Sequence, residues 1–160
     1  MWVVAIPISA AMFERHPVNT ITSIGLALAT IGLFFEAVGD LQSAKFKSDP
    51  VNVGALMDRG LWSWTRHPNY FGDLCVMFAL WIIACGSWVG MLTIFAPVLM
   101  TRMLVTKTGK RMLDRRLART RGEAYVEYAA RTSGLIPRPP LKLARPSATV
   151  APDSKSASTG

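Results

Sequence analysis

The sequence predicts an all-α protein, a multi-pass transmembrane helical bundle of about four spans that precedes an amphipathic helix on the cytoplasmic side. Two observations support this prediction. Of the 160 residues, 51% are apolar and only 18% are charged, which is too few charged side chains to cover a soluble domain of this size. The apolar residues also gather in continuous runs instead of recurring at a helical or strand period.

Four apolar runs mark the candidate spans. The first, residues 2–13, is short for a full crossing, whereas the second, residues 21–39, has roughly the 20 residues that a bilayer core requires. The third and fourth runs, residues 70–88 and 89–105, meet at a Gly-Ser pair at residues 86–87. Because that turn is tight, we expect the last two spans to form a helical hairpin.

The positions of the basic residues predict the orientation of these spans. The formal net charge is +8, and Lys and Arg cluster in residues 45–66 and 102–145. Two spans separate these segments, so both lie on one side of the bilayer, which the positive-inside rule makes the cytoplasmic side. We therefore predict a bacterial inner-membrane protein with loop 40–69 and the C-terminal tail in the cytoplasm. The basic segments lack a nucleic-acid-binding signature, so the predicted partner is the lipid bilayer rather than nucleic acid.

The basic tail begins with a charged helical pattern over residues 108–130. Within it Arg111, Arg115 and Arg119 form a stripe at i, i+4 spacing. Such a stripe usually faces solvent or lipid headgroups. The last twenty or so residues are rich in Pro, Ser and Ala, a composition that predicts disorder.

The chain accordingly divides into two parts. Residues 1–140 form the predicted membrane domain, and residues 141–160 form the predicted disordered tail. The sequence leaves the oligomeric state open.

Acidic residues at the end of the second apolar run are the first candidates for chemistry. Glu36 and Asp40 are four apart on one helix face, and Ser43 and Lys47 continue that face if the helix runs past the membrane boundary. Glu36 follows three apolar residues, and a carboxylate is costly in hydrocarbon. We therefore expect Glu36 to face the interior of the bundle.

A second polar cluster, residues 65–73, leads into the third apolar run. Pro68 suits the first turn of a helix, and the free backbone N–H groups of that turn, with Arg66 and His67, predict an anion site that suits phosphate. No metal site is predicted, because the chain has two histidines and only scattered acids. No Gly-rich nucleotide loop of the Rossmann type occurs either.

The segment GLWSWTRHPNYFGD, which starts at Gly60, resembles the signature of the steroid 5-alpha-reductase C-terminal-domain family, in the branch catalogued as domain of unknown function 1295. The order of features is also similar: an acid-containing span precedes the motif, a two-span hairpin follows it, and Gly122, Tyr125 and Tyr128 recur in the tail. The resemblance covers residues 1 to about 140. Full-length relatives begin with additional spans, so the resemblance implies an N-terminally shortened form.

Membership implies an enzyme, an NADPH-dependent reductase that acts on a double bond of a lipophilic substrate within the bundle. Carried over by position, Asp40 and Lys47 contact the adenosine and phosphate portion, and a group around Asn69 lines the path of the pyrophosphate and nicotinamide. The resemblance gives as cofactor-binding residues Asp40, Lys47, Arg66, His67, Asn69, Tyr70, Asp73, Arg115, Arg119 and Arg121. The candidate catalytic residues are Glu36 and Tyr70.

Two alternative functions stay open at this point. Membrane methyltransferases that use S-adenosylmethionine on isoprenylcysteine or phospholipid share the Arg-His-Pro motif and the tyrosines of the tail. Those enzymes typically carry paired glutamates in the tail helix, where this chain has Asp114 followed by Arg115, so reduction is favoured. The third possibility is a non-catalytic membrane fragment.

Overall fold

A computed structural model describes residues 19–107 and 110–141. These two segments are helical, apart from the connections and an isolated bridge between Thr65 and Ser133. The α-helices are α1 Thr20–Ser48, α2 Leu61–Trp64, α3 Pro68–Ala84, α4 Trp88–Leu92, α5 Phe95–Arg102, α6 Lys110–Arg121 and α7 Glu123–Arg131, with a 3₁₀ turn at Pro50–Asn52 and a π-helical turn at Met103–Lys107. The predicted first span lies outside the described residues, as does the predicted disordered tail beyond Leu141.

Helix α1 is longer than the apolar run that predicted it. The Asn19 side chain caps its first turn by accepting a hydrogen bond from Thr22 N at 2.9 Å. Lys45 and Lys47 lie in its last turn, where the negative end of the helix dipole stabilises cations. Its 29 residues extend about 44 Å, whereas a bilayer core is about 30 Å thick. The last turns of α1 therefore project beyond the apolar run and carry Ser43 and Lys47 on the same helix as Glu36.

Helices α1 and α3 pack antiparallel along a seam of glycines. Gly25, Gly32 and Gly39 are buried and recur every seven residues, which keeps them on one face of the helix. A Cβ atom at Gly32 would lie 2.7 Å from the carbonyl oxygen of Gly72, and one at Gly72 would lie 2.6 Å from that of Gly32. The two backbones therefore touch directly, as in the small-residue contacts of membrane helices. The seven-residue spacing of the glycines was visible in the sequence, although our prediction did not use it.

The predicted turn after α3 is present, but the predicted fourth span is not one regular helix. Ser87 caps α4 by accepting a hydrogen bond from Gly90 N at 3.0 Å, and a Cβ atom at Gly90 would overlap the carbonyl group of Ala84. Helix α4 therefore folds closely against the end of α3. Residues 93–94 then separate α4 from α5 before the π-helical turn.

Two helical stretches of the described chain are long and apolar enough to cross a membrane. They are Thr20–Ser48 and the described part of Trp88–Arg121, in which residues 108–109 are not described, while Pro68–Ala84 is apolar but shorter. Large apolar side chains of α1 face outward; Leu33 is 57% exposed and Phe34 is 55% exposed. An apolar surface of this extent fits contact with lipid. The arrangement of four spans stays a prediction.

The predicted single helix over residues 108–130 is wrong in one respect, because the described part of it is two helices. Helix α6 ends at Arg121, and α7 begins at Glu123. The residue between them, Gly122, has φ +55° and ψ −130°, a backbone conformation that is available almost only to glycine. The chain turns there, and α7 packs back toward the motif at residues 65–70.

Candidate functional site

The part of the motif that precedes α3, residues 60–67, is held by hydrogen bonds on two sides. On one side, Leu61 N donates to the Gln42 side chain at 2.9 Å, and the Trp62 indole N–H donates to the Gly39 carbonyl at 3.0 Å. These bonds fix the motif against the projecting end of α1. They explain why the polar Gln42 follows the apolar run of α1 and why the indole of Trp62 lies opposite it.

On the other side, the segment after α7 runs alongside the motif. Arg66 N donates to the Ser133 carbonyl at 2.9 Å, and the Thr65 hydroxyl donates to the Leu135 carbonyl at 2.9 Å. Thr65 is fully buried. These long-range bonds bring the tyrosines of α7 onto the Arg-His-Pro motif.

One carboxylate of α6 lies at the centre of the polar contacts around this motif. Asp114 Oδ1 is 3.1 Å from His67 Nε2, and Asp114 Oδ2 is 3.4 Å from Arg66 Nη1. The Tyr125 hydroxyl donates to Asp114 and accepts from Arg66 Nη1 at 3.2 Å. The His67 ring, which is almost completely buried, also stacks on Tyr70 with centroids 5.1 Å apart. The anion beside the start of α3 is thus a side chain of the protein itself.

The two tyrosines of α7 are buried in this cluster. Burial raises the pKa of Tyr125 to about 12, and the hydrogen bond that its hydroxyl donates to Asp114 acts in the same direction. Burial also raises the pKa of Tyr128, whose hydroxyl donates to the Trp62 carbonyl at 2.5 Å. Both hydroxyl groups therefore serve as proton-bearing hydrogen-bond donors.

A cavity of ≈340 Å³ opens between the end of α1 and the face of α6 that carries Leu113, Leu117 and Arg121, which we call the inner face. Three of its lining residues are cations: Lys47, Arg66 and Arg121. Arg121 donates to the Gly54 carbonyl in the loop after α1, and Arg66 Nε is buried with no hydrogen-bond partner among the described residues. The remaining lining residues are Ser43, Phe46, Asn52, Val53, Gly54, Ala55, Leu56, Met57, Trp62, Leu113, Leu117, Tyr125 and Tyr128. The cavity therefore combines cationic groups with apolar and aromatic walls, as small-molecule sites do.

Comparison with known protein families assigns the chain to a family. A family described as "Protein of unknown function (DUF1295)" matches residues 1–132. The chain belongs to the DUF1295 family. This confirms the branch that the motif at residues 60–73 indicated. No solved structure matches the chain.

In this DUF1295 chain, the predicted cofactor residues fall into three places. Lys47, Arg66 and Arg121 line the cavity. His67 is not in the lining but contacts Asp114, which also contacts the lining residues Arg66 and Tyr125. Residues in the start of α3 and the facing part of α1 lie outside the lining; they are Asp40, Asn69, Tyr70 and Asp73. Arg115 and Arg119 line a separate groove on the opposite face of α6.

The predicted catalytic candidates lie in the α1–α3 pair. Glu36 is half-buried, and a Cβ atom at Gly72 would lie 3.1 Å from Glu36 Cβ. Asp73, the next residue of α3, interacts electrostatically with Glu36 and Asp40. Among the described residues, no group of three His, Cys, Asp or Glu is placed to hold a metal ion.

Asp114 is the site residue whose role our sequence prediction missed. We considered it only as a departure from the methyltransferase pattern. The sequence does offer a signal for it: Asp114 is the only acid among the residues of α6, KRMLDRRLARTR. A lone carboxylate in a strongly basic helix is a natural partner for buried cations.

Proposed function

We propose that this chain is a membrane-embedded reductase that binds NADPH and reduces a double bond of a lipophilic, steroid- or isoprenoid-like substrate. The observation that carries the proposal is the cavity at the end of α1, where three cations meet apolar and aromatic walls. The projecting end of α1, the loop after it and α6–α7 then face the cytoplasm, where the cofactor is available.

The charge of the cavity fits a polyanionic cofactor. Lys47, Arg66 and Arg121 suit phosphate groups, and a guanidinium group binds a phosphate through paired hydrogen bonds. The buried Arg66 Nε, which has no described partner, offers one such donor. S-adenosylmethionine carries a cationic sulfonium and an ammonium group, so three cations in the lining disfavour it.

The size of the cavity indicates which part of the cofactor it holds. A volume of ≈340 Å³ lies near the lower end of the range for small-molecule sites, about 300–1,000 Å³. We therefore assign the cavity to the phosphate-bearing adenosine half. Trp62 and the leucines of α6 offer apolar surface to the base.

The nicotinamide half then extends toward the start of α3, which the resemblance assigns to it. When bound there, NADPH supplies a hydride, and the chain must provide a proton to the other carbon of the double bond. Tyr70 is the proposed proton donor, held by its stacking on the buried His67 ring. Glu36 is the proposed polar group on the substrate side of the α1–α3 pair.

Calorimetry on the full chain, purified in detergent, tests the cofactor assignment. We expect NADPH to bind and S-adenosylmethionine not to bind. Arg121→Gln should weaken NADPH binding at least about tenfold, since a charge-assisted hydrogen bond contributes about 1.5–3 kcal/mol. Arg119→Gln removes the same charge from the opposite face of α6 and should change the affinity less than about twofold.

Each other result has a definite meaning. Binding of S-adenosylmethionine alone would favour methyl transfer over reduction. Binding of neither compound would favour the third possibility, a truncated or non-catalytic membrane fragment. Equal losses in the two arginine variants would show that the cavity is not the NADPH site.

A further inference from the structure

The outer face of α6 carries a basic groove that the proposed cofactor site does not use. The groove has a volume of ≈670 Å³ and is lined by Thr106, Arg111, Met112, Arg115, Arg116 and Arg119. Its four arginines are exposed. We call this surface the arginine groove.

The arginine groove has no anionic partner in the described part of the chain. Among the side chains that the structure describes, the basic partners of the ion pairs are Arg66, His67 and Arg131. The only acid of α6, Asp114, is held by the Arg66 and His67 side chains. Four guanidinium groups within nine residues repel one another, so an anion that binds the groove gains from all four.

The groove begins where the apolar stretch ends. Thr106, in the π-helical turn that follows α5, is one of its lining residues. α6 adds about 18 Å of basic surface beyond that point. Met112 lies among the arginines and is 65% exposed. An apolar side chain surrounded by cations is typical of a helix that lies at the boundary between lipid headgroups and acyl chains.

We propose that the arginine groove lies on the membrane surface and binds the phosphate groups of anionic phospholipids of the phosphatidylglycerol class. Clusters of arginine directly after a membrane span attract the anionic leaflet, and guanidinium groups match phosphate oxygens in geometry. The proposal rests on the membrane orientation proposed above but not on NADPH binding. Docking of the outer face would hold Leu113, Leu117 and Arg121 of the inner face against the cavity.

Spin-labelled lipids test this binding in the intact protein. The full chain is reconstituted in phosphatidylcholine vesicles, and electron spin resonance measures how much labelled phosphatidylglycerol and labelled phosphatidylcholine it immobilises. We expect a severalfold preference for phosphatidylglycerol that falls as salt is raised. The triple variant Arg111→Gln, Arg115→Gln, Arg119→Gln should lose that preference, so that it immobilises the two labelled lipids about equally.

A matched variant removes the same charge elsewhere. Lys45→Gln, Arg59→Gln, Arg138→Gln changes three exposed cations outside both the groove and the cavity, and it should keep the preference. Replacement of the three groove arginines by lysine should keep most of it, which separates a loss of charge from a loss of folding. Equal behaviour of the two glutamine triples, or an unchanged preference in the groove triple, would overturn the proposal.

NADPH calorimetry on the groove triple separates this proposal from the cofactor site. Unchanged NADPH affinity together with a lost lipid preference supports both proposals. A lost lipid preference in a protein that never binds NADPH supports the arginine groove and rejects the reductase. Loss of NADPH affinity with an intact lipid preference would assign the groove arginines to the cofactor and overturn the lipid proposal.

Discussion

The two faces of α6 use arginine in opposite ways. On the inner face, Arg121 reaches the Gly54 carbonyl and lines a cavity whose walls include Leu113 and Leu117. On the outer face, Arg115 and Arg119 line an open groove that holds no carboxylate. The inner arginine has a fixed partner, whereas the outer arginines present charge to whatever lies beside the helix.

This difference follows from helical geometry. Residues two positions apart on an α-helix point about 200° away from each other, so Arg119 and Arg121 lie on opposite faces of α6. The family resemblance had grouped Arg115, Arg119 and Arg121 as phosphate contacts. The structure places only Arg121 in the cavity.

The largest effect that we predict comes from the inner face. Asp114→Asn keeps the shape of the side chain but removes the charge that Arg66 and His67 contact, at side-chain exposures of 16% for Arg66 and 1% for His67. We expect the free energy of unfolding to fall by about 2–3 kcal/mol, because a largely buried cation loses its counter-ion. Titration with sodium dodecyl sulfate in mixed micelles, followed by circular dichroism, measures the change.

Asp58→Asn is the control for that variant. Asp58 Oδ2 lies 2.6 Å from Arg131 Nη2, but the two side chains are 34% and 37% exposed. An exposed pair contributes less than about 1 kcal/mol. If both variants lose the same stability, the Asp114 cluster does not differ from a surface ion pair.

The second prediction compares two glycines that have nearly the same strained backbone. Gly122, which ends α6, has φ +55°, and Gly60 has φ +60°. Gly122→Ala should lower the free energy of unfolding by about 1–2 kcal/mol, from backbone strain alone, because a Cβ atom there would meet nothing within 4 Å. Gly60→Ala should cost about 1 kcal/mol more, since its Cβ atom would lie 2.5 Å from the Gln42 side chain that accepts from Leu61 N.

The same titration in mixed micelles measures both glycine variants. Equal losses would mean that Gln42 moves aside without cost. No loss for Gly122→Ala would mean that α6 continues into α7 as one helix, as the sequence first indicated.

Some features of the fold and of the site could be predicted from the sequence, and others could not. Apolar runs mark α1 and α3 because membrane solvation acts on every side chain of a run, and the motif at residues 60–73 indicated the family because it is specific. The break at Gly122 was not predicted, since a glycine within a helical pattern is often tolerated. The contacts of Asp114 with Arg66 and His67 were not predictable by spacing, because these residues lie nearly fifty positions away and the contacts depend on how α6 returns to α3.

The smallest predicted effect is an alkaline loss of stability on the inner face. The pKa of Tyr125 is raised to about 12 from an ordinary value near 10, so in the folded state the hydroxyl keeps its proton at pH values where the unfolded chain has lost it. The stability from this group is complete below pH 10 and is lost as the pH rises through 12, which amounts to about 1 kcal/mol at pH 11. Unfolding titrations at pH 8 and pH 11 on the native chain and on Tyr125→Phe isolate this contribution, because the two proteins share every other ionisable group. The alkaline loss should be smaller in Tyr125→Phe by about that amount. An identical loss in the two proteins would mean that the Tyr125 hydroxyl is not enclosed between Asp114 and Arg66, and the inner face would then be as open to solvent as the arginine groove.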